Sequence, residues 1–152
     1  MTTNNSKIND IWEQTLEKTL QIIKKYSSHP NTFCVSPYTY LDFDQSGEMH
    51  SCYAGADNLG DWKTNSIIEE FNNDQYKNLR MYQQTGQQDK SYSNCKRCYK
   101  HEQMNNKSVR QKELVNAYFK LGEEKFENLI KKIVDNQYHG DIKDNITVEI
   151  RC

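Results

Sequence analysis

The 152-residue chain sets 20 Lys and Arg against 21 Asp and Glu, a net charge of -1, so no general field would hold nucleic acid or an anionic membrane. Hydrophobic residues make up 35% of it, a thin supply for the core of one domain of this length, which invites a staple. Met1 to Asp10 is polar and no run approaches the roughly 20 apolar residues of a membrane span; the expectation is a cytoplasmic chain, where disulfides are disfavoured and five cysteines point to metal or redox chemistry.

In chain order, Ile8, Ile11, Trp12, Leu16, Leu20 and Ile23 recur at helical spacing, with Asp10-x-x-Glu13 as a capping box. That spacing predicts an amphipathic helix over about 9–26, ending before Ser27-Ser28-His29-Pro30. Residues 38–43 and 48–53 are aromatic and strand-tolerant around Asp44-Gln45-Ser46-Gly47, and read as a hairpin whose Gly47 takes a left-handed conformation. A loop containing Gly and Asn follows. Ser66-Ile67-Ile68-Glu69 opens a short helix, and 74–85 forms another that Gly86 stops. A polar loop reaches Asn94. Helical signals resume at Cys95, break at Asn105-Asn106, restart at the capping box Ser108-Val109-Arg110-Gln111, and are divided by Gly122 from a last helix bearing Phe126, Leu129, Ile130 and Ile133. Residues 146–150 alternate like a strand, which is expected to end the chain without a partner.

Cys34, Cys52, Cys95 and Cys98 frame the middle of the chain, and Cys152 stands apart. Four thiolates suit zinc or an iron-sulfur cluster. Cys95 and Cys98 at the start of a helix lie near partly positive backbone N–H groups, which favour thiolate. Cys34 just before the hairpin and Cys52 on its returning strand can share one end of it. The bland alternative is that these are small buried hydrophobes. His101 completes a Cys-x-x-Cys-x-x-His run, so a zinc site of three Cys and one His is a second option. Lys96, Arg97, Lys100, Lys107, Arg110 and Lys112, interleaved with Tyr99 and His101, could make a zinc-knuckle-like nucleic-acid surface, although charge runs on helices are usually solvated faces. A thioredoxin-type dithiol fails on context, because a polar loop and not a strand precedes Cys95.

More than cysteines forms a pattern. Cys34, the run from Gly47 to Cys52 and Cys95-Lys96-Arg97-Cys98 are accompanied by Phe33-Cys34-Val35-Ser36-Pro37-Tyr38, Leu59-Gly60-Asp61-Trp62, Ser66 to Phe71, Leu79-Arg80, Tyr99, Glu102 and Ser108-Val109-Arg110. From Phe33 to Phe119 this resembles the auxiliary-cluster (SPASM and twitch) segments of radical S-adenosylmethionine (SAM) proteins, with Asp61 where Asn is usual and Asn105 where Gly is common. The resemblance implies an α+β fold, a small hairpin with a cysteine-bound cluster among about five helices and one closing strand. It divides the chain into an N-terminal helix at 1–30, a cluster-binding domain at 31–120 and a helix and strand at 121–152. It further implies a 4Fe-4S cluster on Cys34, Cys52, Cys95 and Cys98, serving electron transfer or structural support, with zinc on the same cysteines as the alternative. No Cys-x-x-x-Cys-x-x-Cys triplet occurs in these residues, so no SAM chemistry is expected of them. In similar proteins a strand ending in Arg, as 146–151 does, leads into that triplet; the expectation is a chain that stops short of its radical SAM core, its partner in cis or in trans, with a peptide as the default substrate. Cys152 precedes the first expected core ligand and is assigned to no cluster.

Overall fold

The computed structural model describes residues 3–52, 57–136 and 149–151. It is α+β: helices surround one small sheet. The first helix, α1 (Thr3–Tyr26), begins well before Asp10, which therefore caps nothing. Its inward stripe also differs from the expected one. Ile8 and Ile11 are exposed, whereas Thr15, Thr19, Ile22 and Ile23 are buried. The threonines tolerate burial because their hydroxyls bond back into the helix, Thr15 Oγ1 to the Ile11 carbonyl at 2.7 Å and Thr19 Oγ1 to that of Leu16 at 2.6 Å.

A single turn of helix, α2 (Ser36–Thr39), intervenes where extended chain was expected from Tyr38. Pro37 in its first turn lacks the N–H a helix start leaves unpaired, so it favours this turn. The hairpin follows as read: β1 (Tyr40–Phe43) pairs antiparallel with β2 (Glu48–His50), Asp42 opposite His50. Gly47 closes the turn at φ 106°, and the Asp44 carboxylate ties it by accepting from the Ser46 and Glu48 N–H groups. The loop after it holds an unforeseen edge strand, β3 (Gly60–Asp61), with Glu48 opposite Asp61. Two residues are too few for a periodic signal; a Cβ on Gly60 would lie 3.1 to 3.3 Å from Glu70, Asn73 and Met49 atoms, so the strand needs glycine to approach the hairpin. Asp61 Oδ1 accepts from the Lys63 N–H at 2.9 Å, a bond the carbonyl of the more usual Asn could also accept.

Short α3 (Ile67–Phe71) starts on Ser66, whose hydroxyl accepts from the Glu69 N–H, and α4 (Asp74–Gln84) on Asn73. A 3-10 turn at 88–90 leads to α5 (Ser93–Gln103), which carries Cys95 and Cys98. Asn105 ends it at φ 59°, the left-handed role expected of it. The capping box at Ser108 is complete in both directions and opens α6 (Val109–Leu121); Gly122, at φ 82°, separates it from α7 (Glu123–Asn136).

The strand expected to end without a partner has one. Residues Glu149–Arg151 form β4, parallel to β1, with Leu41 opposite Ile150, giving the order β3-β2-β1-β4. Adjacency along the chain could not reveal this, since the partner is more than a hundred residues away. Residues 146–148 and Cys152 lie outside the described residues, as does Tyr53. The apolar core runs from Ile22 and Ile23 on α1 through Leu41 and Met49 to Leu114, Phe126 and Ile130, all nearly or fully buried.

Candidate cluster site

Three cysteine-bearing segments meet at the end of the hairpin opposite its turn. Cys34 precedes α2, Cys52 follows β2, and Cys95 and Cys98 occupy the first turns of α5; all four line one cavity, together with Ser36, Gln83, Asn94 and Arg110. Cys34 and Cys52 are buried, Cys95 and Cys98 half-buried. The sequence thus named four cysteines that the fold brings together. His101, by contrast, is exposed on α5 and does not line the cavity, so the three-Cys, one-His arrangement is not assembled.

Long-range polar contacts fix this convergence. Asp57, beyond Cys52, accepts from Ser93 Oγ and from the Asn94 N–H at 3.0 Å each, holding the start of α5 against the hairpin end; its carbonyl also contacts His50 Nδ1 at 3.0 Å. Arg110 is buried and donates to both Glu102 carboxylate oxygens, to the Pro30 carbonyl at 3.2 Å and to the Phe33 carbonyl at 2.9 Å. Ser108 Oγ joins at Glu102 Oε2, 2.7 Å. The segment before Cys34 is thereby fastened to α5 and α6. Arg80, fully buried, does the same behind it, donating to the Pro37 and Phe71 carbonyls among the rings of Tyr38, Phe71 and Tyr76. The sequence offered Arg80 only through the resemblance, and Arg110 also as part of a basic run. Of the supposed nucleic-acid run, Arg110 and Tyr99 are buried and thus unavailable for a surface.

Each of the four cavity cysteines receives an N–H donor. The Ser36 backbone donates to Cys34, and the Val109 and Arg110 backbones, at the start of α6, donate to Cys98. Asn94 Nδ2 lies 3.8 Å from Cys52 Sγ and Gln83 Nε2 3.4 Å from Cys95 Sγ. Desolvation opposes the thiolate bias expected at the start of α5. Burial pushes Cys95 up to about 12, and it raises Cys34 and Cys98 as well. These thiols hold their protons at neutral pH, so a metal must displace them. The polar lining of the cavity fits a bound metal group. Ser36 Oγ, Gln83 Oε1 and Asn94 Oδ1 are buried at the cavity without a hydrogen-bond partner.

Comparison with known proteins gives one match: residues 34–99 fit the family described as SPASM, iron-sulfur cluster-binding domain. No curated protein and no solved structure matches the chain. The matched span begins on the first of the four cavity cysteines and ends one residue past the last, so residues 34–99 are similar to an iron-sulfur cluster-binding domain of the SPASM family.

Proposed function

We propose that Cys34, Cys52, Cys95 and Cys98 together hold one 4Fe-4S cluster, and that the chain is the auxiliary-cluster part of a radical SAM protein. The observation that carries the ligand assignment is the convergence of four thiols from three separate stretches of sequence on one cavity, each sulfur with its own N–H donor. The similarity of residues 34–99 to an iron-sulfur cluster-binding domain supports a cluster over zinc.

When bound, such a cluster supplies one-electron transfer and a cross-link between distant segments. Four cysteines on four irons leave no iron open, which favours electron relay or structural support over direct substrate binding. The residues themselves do the rest: Arg110 and Asp57 orient the cysteine-bearing segments, and the N–H donors stabilise negative charge on sulfur. SAM cleavage falls to a separate radical SAM core, in cis or in trans, acting on a substrate for which a peptide is the default by resemblance.

Anaerobic reconstitution tests the assignment. The expected product is brown and holds about four irons per chain; Cys52→Ser and Cys98→Ser each reduce iron content and stability together. One colourless zinc per chain overturns it in favour of a zinc-binding module. The loaded chain, given SAM and a reductant, is expected to leave SAM intact, and SAM cleavage would overturn the division of labour.

A further inference from the structure

Two of the four sulfurs are served by main-chain N–H groups, and the other two by side-chain amides. Gln83 lies on the buried face of α4, one turn after Leu79 and Arg80, and Asn94 is the second residue of α5. Both amides are almost fully buried, Gln83 at 3% exposure and Asn94 at 7%. Each shows the same asymmetry: its NH2 group faces a cysteine sulfur, while its carbonyl oxygen has no hydrogen-bond partner. Burying an amide with one end unpaired costs free energy, and apolar residues of similar size would avoid that cost. Nor are the amides held there loosely. The Gln83 main-chain carbonyl accepts from buried Thr32 Oγ1, and the Asn94 main-chain N–H donates to Asp57. Each backbone is thus fixed so that its side chain reaches the cavity.

We infer that Gln83 and Asn94 are positioning residues that set the reduction potential of the bound cluster by donating hydrogen bonds to Cys95 and Cys52. This rests on the cluster assignment proposed above. One-electron reduction, by a low-potential one-electron donor, adds one negative charge to the cluster and its thiolates, with no proton and no bond change. An N–H dipole aimed at sulfur stabilises the more negative state, and in a buried site of low dielectric it does so strongly. The amides therefore raise the potential above that of a cluster lacking them.

The test is a spectroscopically monitored redox titration, with dithionite as reductant, of the anaerobically reconstituted protein and its Gln83→Leu and Asn94→Leu variants, each assayed for iron first. With wild-type iron content, each variant is expected to lower the equilibrium constant for reduction about tenfold, a shift of about 59 mV for a one-electron couple. A potential unchanged from wild type in both loaded variants overturns the inference. If either leucine variant loads less iron than wild type, the same-shape Gln83→Glu and Asn94→Asp variants decide. A carboxylate against the sulfur should lower the potential further than leucine; an unchanged potential, or failure of these variants also to hold iron, overturns a tuning role. Wild-type protein that takes up no iron instead refutes the cluster assignment itself.

Discussion

The two ends of this molecule are closed by different chemistry. Where α1, α6 and α7 meet, Ile22, Ile23, Leu114, Phe126, Ile130 and Ile133 are buried side by side, and the seam closes mainly by hydrophobic burial, with Lys25 and Tyr26 bonded to Glu127 at its edge. At the cysteine end the cavity lining mixes four thiols, two of them half-buried, with Arg110, Gln83, Asn94 and Ser36. The arginine, amides and serine gain nothing by leaving water unless something binds them. A chain with 35% hydrophobic residues can complete one end by packing; the other it completes through polar contacts around four thiols gathered on one cavity.

The largest expected effect follows from taking the metal away. Chelation of iron from the loaded protein should raise amide exchange around Cys34, Cys52 and Cys95 by about a hundredfold or more, while α6 and α7 keep most of their protection, because metal binding and local folding there draw on the same free energy. Uniform loss of protection across both ends would dissolve the contrast. Next comes Glu102→Ala, which leaves Arg110 buried without its carboxylate; a loss of about 3–5 kcal/mol in denaturant unfolding is expected, with lower iron content, and wild-type stability would show that the ion pair fastens nothing. The smallest is Gly122→Ala at the apolar end. Nothing lies within 4 Å of the added Cβ, so the cost is the backbone conformation alone, φ 82° and ψ 167°. About 1–3 kcal/mol should be lost, with iron content and cluster spectrum unchanged; a changed spectrum would mean that the ends are coupled.

What the sequence revealed divides along the same line as the chemistry. Local signals read true: the Asp44 to Gly47 turn, the caps at Ser66 and Ser108, the stops at Asn105 and Gly122. Each depends on residues within a few positions of one another. The cysteine grouping was legible because thiolate chemistry narrows the options, and the family pattern supplied the pairing of distant segments. Hidden were the features that need a partner far along the chain. Thr15 and Thr19 break the apolar stripe of α1 yet are buried, β4 finds β1 across more than a hundred residues, and Gln83 and Asn94 look like ordinary helix amides until the fold sets them on sulfur. The helix-start argument for thiolate was incomplete for a related reason, since it counts the dipole of α5 but not the burial contributed by other segments.

Arg110 carries two obligations at once. Its main chain donates to Cys98, and its guanidinium spans a carboxylate and two carbonyls that lead into Cys34. Sequence drift and redesign feel this as a bottleneck. A lysine keeps the charge but has no planar fork to span those acceptors, and moving the arginine by one position would swing the side chain about 100° around α6. Its exposed neighbour Lys112 carries no such double duty, so a randomised library across residues 109–113 should return a varied surface around one invariant arginine.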